Sequence, residues 1–175
     1  MPGWGAWACR TGRARLDAYN RPVAAARTWI LTTSPANHEA TAARDFTVIG
    51  VKERNRNRAL EIETDDRIVL YLTQIKAFAA VIRVTGEMFE DRTPVWPGKP
   101  GKVDAYPWRF PTEPELVLEE ADWLPAEEVK GELEHVRKWP AEHWTLAFQG
   151  QLRPVSAADG AVLVDRLRGA QRAPA

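Results

Sequence analysis

The sequence predicts a single α+β domain, built of β-strands with helical segments inserted between them. Its length of 175 residues is ordinary for one domain and long enough for one good core. The composition, 45% hydrophobic and 27% charged, is typical of a soluble globular protein. Short β-branched and aromatic runs recur along the chain. Two of them are almost continuously apolar, which indicates a sheet that is closed or covered on both faces.

The first 27 residues differ from the rest of the chain. They lack apolar periodicity and contain five arginines against one aspartate, a net charge of +4, which leaves a body of net charge −4. We expect residues 1–27 to be either a disordered basic extension or a segment that precedes the true start codon. The alternative is that they form a basic arm that contacts nucleic acid. Residues 28–168 should form the domain, and residues 169–175 a tail. Because the body is acidic, any nucleic-acid contact in it must be local.

The first element of the domain is the run "TWILTT", residues 28–33, which predicts a short buried strand. Ser34 is a good N-cap and Pro35 fits the first turn, so a short helix should begin there. "FTVIGV" then leads into a basic segment, residues 50–60, and "NRALEI" is predicted to continue as helix. The cations and asparagines of the basic segment are Lys52, Arg54, Arg56, Arg58, Asn55 and Asn57.

Two apolar strands form the predicted middle of the sheet. They are "RIVLYLT", residues 67–73, and "KAFAAVIRVTG", residues 76–86, and the tight connection between them predicts a hairpin. Residues 90–107 are rich in proline and predict an irregular loop, which carries Trp96.

The last third of the body mixes strands with helices. Residues 108–118 predict a strand or a pair of strands, in which Pro111 and Pro114 indicate a sheet edge or a bulge. Residues 119–139 should be helical in part, and Ser156 is the expected N-cap of a final helix.

No catalytic motif is present in the sequence: GxSxG, P-loop, GxGxxG and HExxH patterns are all missing. The single cysteine, Cys9, can form neither an internal disulfide nor a cysteine metal site, and it favours a reducing, cytoplasmic compartment. Ser34 and His38 lie one helical turn apart, as a nucleophile and its base could. The role of helix N-cap explains the serine more simply. We therefore expect a protein that is not an enzyme and that uses no metal or other cofactor.

Polar and aromatic residues instead suggest a binding site. An amide, exposed strand-end groups and a flat ring are what the recognition of an unpaired base requires. Five candidates lie at the end of the first strand or just after it: Thr32, Thr33, Ser34, Asn37 and His38. Three more lie later in the chain: Trp96, Phe148 and Gln149.

Five stretches in this order resemble the bacterial EVE domain. They are "TWILTTSPANHEA", "GVKERNRNRA", "DRIVLYLTQIKAFAAVIRVTGEMFEDRTPVWP", "YPWRFPTEPELVL" and "VRKWPAEHWTLAFQGQLR". The resemblance covers roughly residues 28–168. EVE domains belong to the PUA-like superfamily and are similar to the YTH readers of methylated adenine. The resemblance implies a PUA-like mixed β pseudo-barrel with helices packed around it, and a pocket beside the first strand for a flipped, often modified, base.

The resemblance also assigns roles within that pocket. Polar contacts would come from the end of the first strand and from Lys52, Glu53 and Arg54 after the "GV" pair. Lys52 stands where the YTH cage has a tryptophan, so a complete methyl-adenine cage is not expected. Trp96 matches the cage tryptophan that follows the middle strands.

The expected partner is modified DNA or RNA, with no role for a membrane. Lys52 and Arg54 would contact the phosphates beside the extruded nucleotide, and Glu53 would accept a hydrogen bond from a base amine. Two alternatives stay open: a sensor of free nucleosides that uses the same pocket, and a nucleotide-modifying hydrolase.

Overall fold

The computed structural model describes residues 25–97 and 106–172. Predictions for residues 1–24, 98–105 and 173–175 lie outside these ranges. Within them the strands are β1 (Thr28–Thr33), β2 (Val48–Val51), β3 (Arg67–Leu72), β4 (Ala77–Val84), β5 (Phe89–Glu90), β6 (Trp108–Val117), β7 (Leu124–Pro125) and β8 (Leu152–Val155). The α-helices are α1 (Pro35–Ala42), α2 (Arg56–Ala59), α3 (Ala126–Val129), α4 (Glu134–Arg137) and α5 (Ala157–Arg172). Segments of 3-10 helix cover Glu53–Asn55, Glu120–Asp122 and Ala141–Phe148.

The strands form one mixed sheet that curls into a half-barrel, with the helices packed against it. The strand order is β2-β6-β4-β3-β1-β8, with β5 paired to β6 and β7 to β4. β1 runs parallel to β3, and the other pairs are antiparallel. This architecture confirms the predicted α+β class and the PUA-like half-barrel that the resemblance implied.

The sheet is buried on both faces, as the continuous apolar runs predict. Alternate residues of β3 enter two different cores, because side chains along a strand point to opposite faces. Val69 packs in the core that includes Leu163 of α5, whereas Ile68 packs in the core that includes Val51 and Phe110.

Several local predictions are confirmed and others are wrong. Ser34 caps α1 by accepting a hydrogen bond from the backbone of Asn37, with Pro35 in the first turn. β6 carries a register shift close to Pro114, which is the predicted bulge, but it pairs with β2, β4 and β5 and is therefore not a sheet edge. The helix expected through "NRALEI" is only the short α2, because the chain turns at once toward β3. α5 ends at Arg172 and so includes the first residues of the segment 169–175, whose assignment as a tail stays a prediction.

Candidate functional site

Gln151 joins the strands at the two ends of the sheet. It directly precedes β8, and its carbonyl accepts a hydrogen bond from the Thr32 backbone of β1 at 2.7 Å. Its side-chain oxygen accepts from the Lys52 backbone at 2.7 Å and from Asn55 Nδ2 at 3.2 Å, beyond the end of β2. Its amide nitrogen donates to the Gly50 carbonyl of β2 at 3.2 Å. Because an amide carries donors and an acceptor, this buried side chain pairs with β2 as a neighbouring strand would.

An open cleft of about 220 Å³ lies where β1 and β2 end on either side of Gln151. Six residues that the sequence analysis selected line it: Thr32, Thr33, Ser34, Asn37, Lys52 and Arg54. Thr73, Tyr106, Gly150 and Gln151 complete the lining. The structure therefore brings the predicted strand-end groups and the first two cations of the basic segment together in one place.

Local hydrogen bonds hold the polar side of the cleft in position. Thr32 Oγ1 donates to the Phe148 carbonyl at 2.8 Å, which ties the end of β1 to the segment before β8. Asn37 is buried in the first turn of α1 and donates from Nδ2 to the Tyr106 hydroxyl at 2.8 Å. The tyrosine thus lies across the amide that the sequence analysis proposed as a base reader.

The four cations of the basic segment divide into two pairs. Lys52 and Arg54 line the cleft, and Lys52 Nζ lies 5.5 Å from the centre of the Tyr106 ring. Burial and the neighbouring Arg54 charge lower the pKa of Lys52 from its usual range. Arg54 is exposed and has no hydrogen-bond or ion-pair partner among residues 25–97 and 106–172.

The second pair is held by the protein itself. The Arg56 guanidinium lies 4.7 Å from the centre of the Trp108 ring, a cation–π contact. Arg58 Nη1 donates to the Leu152 carbonyl at 3.2 Å. These two side chains contact groups outside the cleft, whereas Lys52 and Arg54 line it.

Behind the cleft lies a small inner chamber of about 20 Å³. Gly50 forms part of its wall, next to the Trp96 ring and the Tyr106 Cβ. A Cβ at Gly50 would lie 2.4 Å from Trp96 Cζ3 and 2.8 Å from Tyr106 Cβ, so only glycine fits without displacement of a ring. A space of this size holds about one water molecule and no base.

Trp96 is fixed in this chamber rather than presented to solvent. The residue is 7% exposed, and its Nε1 donates to Thr41 Oγ1 of α1 at 2.8 Å. The buried Arg109 guanidinium lies 5.2 Å from the ring centre and donates to Asp91 at 2.8 Å. The Tyr106 ring packs against Trp96 with 5.6 Å between centroids. Trp96 is therefore one layer below the cleft, with Tyr106 above it.

The other four predicted residues do not line the cleft. His38 is buried between Phe46 and Trp123, with ring centroids 5.5 and 5.6 Å away, and burial lowers its pKa. Glu53 is exposed and pairs with Arg92 at 3.2 Å. Phe148 and Gln149 line a separate cavity next to the cleft.

Sequence reasoning missed Tyr106 and Gln151. Tyr106 directly follows a stretch rich in glycine and proline, where no periodicity indicates which side chains turn inward. Gln151 is one of two glutamines that flank Gly150, and the sequence analysis selected the other, Gln149. A buried amide next to a strand is recognisable only when the partner strand is known.

In the part of the chain that the structure describes, no three His, Cys, Asp or Glu side chains converge as a metal site requires. None of the helices described is both long enough and apolar enough to cross a bilayer.

Solved structures with a similar fold include several YTH domains. The YTH domain of Zygosaccharomyces rouxii MRB1 protein in complex with N6-methyladenosine RNA matches with a TM-score of 0.59 and 11% identity, over 87% of this chain and 88% of that one. The Pho92 YTH domain in complex with m6A matches with a TM-score of 0.59 and 12% identity, over 82% and 84%. A hypothetical protein from Leishmania major matches with a TM-score of 0.54 and 18% identity, over 84% and 98%. These likenesses concern the fold.

The sequence itself was compared with curated proteins and with family models. No curated protein matches it. The family model of the EVE domain matches residues 27–165, which include every strand described above and the first half of α5. This match covers most of the chain and agrees with the half-barrel and its YTH-like neighbours, so the chain belongs to the EVE-domain family.

Proposed function

We propose that this protein binds nucleic acid without catalysis and reads one extruded, modified base in the cleft at the ends of β1 and β2. One observation carries the proposal: strand-end hydroxyls and a buried amide lie opposite two cations within a single cleft. The family and its structural neighbours support it, since two of those YTH domains were solved with N6-methyladenosine or its RNA.

Each side of the cleft has a chemistry suited to one part of a nucleotide. Lys52 and Arg54 carry the positive charge that meets phosphates flanking the base, contacts that position the strand without reading its sequence. Asn37 and the hydroxyl of Ser34 offer donors and acceptors to the edge of a base.

Tyr106 controls access to the inner chamber in this proposal. The chamber of about 20 Å³ cannot receive a base while the Tyr106 ring lies over Gly50 and Trp96. An outward rotation of Tyr106 would break its hydrogen bond with Asn37 and leave the Asn37 amide to the base. The Trp96 ring would then form the surface on which the base stacks. The Asn37 amide would exchange its bond with Tyr106 for one with the base, so Asn37 itself would lose no polar pairing.

The test is a binding panel with the full chain. Single-stranded RNA and DNA hexamers, each with one central N6-methyladenine, 5-methylcytosine or 5-hydroxymethylcytosine, are compared with unmodified hexamers and duplexes. Lys52→Ala and Arg54→Ala should weaken binding for every base, and each should reduce the salt slope by about one ion. Arg168→Ala is the matched control, because that cation lies on α5 in a pair with Asp165. Equal salt slopes in all variants would contradict the phosphate role.

A free nucleoside is the second candidate ligand for the same cleft. The observation that favours it is that Arg56 and Arg58 contact the protein itself, which reduces the number of cations of the basic segment that remain for a phosphate backbone. Such a ligand has no flanking phosphates to contact. Tight binding of a modified nucleoside, unchanged by Lys52→Ala and Arg54→Ala, would select this function over nucleic-acid binding.

A further inference from the structure

A second and larger open cavity adjoins the cleft. It has a volume of about 450 Å³, which lies within the usual range for small-molecule sites. Thr32, Thr73 and Gly150 line both spaces, so these three residues form the wall between them. We call this second space the flanking cavity; its remaining lining residues are Tyr71, Lys76, Thr145, Phe148 and Gln149.

Tyr71 is the unusual member of the lining. It is 3% exposed and packs in an aromatic cluster, with centroid distances of 5.3 Å to Phe78 and 4.6 Å to Phe148. Its hydroxyl has no hydrogen-bond partner among the residues that the structure describes. Burial raises the pKa of this hydroxyl to about 12, so it stays protonated and able to donate at neutral pH.

A phenylalanine would keep the ring contacts of this residue with Phe78 and Phe148, so the described residues make no use of the hydroxyl. The hydroxyl lines the open flanking cavity, where a molecule that enters can pair with it in place of solvent.

Other unpaired groups surround the same space. The side chain of Gln149 is exposed and makes no hydrogen bond to the described residues, and Lys76 is exposed with no ion-pair partner among them. Together the lining offers hydroxyl and amide donors, acceptors and one cation. This combination suits a polar heterocycle next to an anionic group, which is the chemistry of a nucleotide.

We propose that the flanking cavity binds the base adjacent to the one read in the cleft, so that the unit recognised is a dinucleotide. The proposal rests on the nucleic-acid function proposed above. Its geometric basis is the shared wall of Thr32, Thr73 and Gly150, which places the two spaces side by side as successive nucleotides of one strand would be.

The test combines a change in the protein with a change in the ligand. The full chain and Tyr71→Phe are titrated with the hexamer that the wild type binds most tightly in the panel. Both are also titrated with versions that carry an abasic site on the 5′ or the 3′ side of the modified base. One abasic ligand should bind the wild type about tenfold more weakly, since the base that would occupy the flanking cavity and pair with its polar groups is missing. Tyr71→Phe should bind the intact hexamer about fivefold more weakly and should bind that abasic ligand as well as the wild type does.

The same titrations can overturn the proposal. If Tyr71→Phe loses the same affinity for the intact and the abasic ligands, or loses none for either, the hydroxyl does not contact a flanking base. If Lys52→Ala and Arg54→Ala bind the intact hexamer more weakly and Tyr71→Phe does not, only the proposal for the flanking cavity is refuted. Absence of any hexamer binding by the wild type would refute both proposals. If Tyr71→Phe is unstable, Gln149→Ala on the exposed rim should reproduce the same pattern, and its failure to do so would count against the cavity.

Discussion

Replacement of Gln151 with alanine should destabilise the whole domain, because one amide bridges the two ends of the sheet. The substitution removes two hydrogen bonds accepted by Oε1 and one donated by Nε2. It leaves the carbonyl of the buried Gly50 and the amide of Lys52 without their partners. An unsatisfied buried group costs about 1–3 kcal/mol, and the Lys52 end is nearer to solvent, so we expect a loss of about 2–4 kcal/mol.

Urea unfolding followed by circular dichroism measures this free energy of unfolding. Gln149→Ala is the matched control, because it removes the same amide from an exposed position and should change stability by less than about 0.5 kcal/mol. The loss of stability in Gln151→Glu should fall between those of Gln149→Ala and Gln151→Ala, since a carboxylate still accepts two hydrogen bonds but cannot donate to the Gly50 carbonyl. A loss below about 0.5 kcal/mol in Gln151→Ala would refute the claim that this amide closes the half-barrel.

Three further predictions concern the chamber and its surroundings. Gly50→Ala should cost about 1–3 kcal/mol in urea unfolding, because the new methyl group displaces Trp96 or Tyr106; wild-type stability would contradict the contact. Trp96→Phe should cost about 1–3 kcal/mol through lost volume and the lost hydrogen bond to Thr41, and an unchanged value would mean the ring is not anchored. Burial lowers the pKa of His38, so on acidification the unfolded chain binds a proton at this residue before the folded chain does. Stability should therefore fall as the pH drops below 6.5, the ordinary pKa of histidine. Thermal melts at pH 5 to 8 should show this decline for the wild type and not for His38→Gln.

The sequence predicted best what depends on near neighbours. The polar end of β1 and the cap of α1 lie within a few residues of one another, so Thr33, Ser34 and Asn37 reach one cleft by local geometry. The next cations, Lys52 and Arg54, follow the end of β2, and the resemblance to EVE domains placed them beside the first strand.

What the sequence could not predict depends on distant partners. Tyr106 meets Asn37 across 69 residues, and Gln151 meets Lys52 across 99. No periodicity records such pairings, because they arise only when the sheet curls. The same reason explains why the sequence did not indicate the ion pair of Glu53 with Arg92, which lies on the loop after β5.

The position of β1 between β3 and β8 also sets the order in which the site can be assembled during synthesis. The cleft needs the Phe148 carbonyl, which Thr32 reaches across 116 residues, and it needs the amide of Gln151. Contacts so distant in sequence close late, since the entropy of a long loop must be overcome before they form. A nascent chain that has passed β6 but not Gln151 thus carries the strand-end groups and the cations without the cleft. The cleft is therefore among the last features that the domain acquires as it folds.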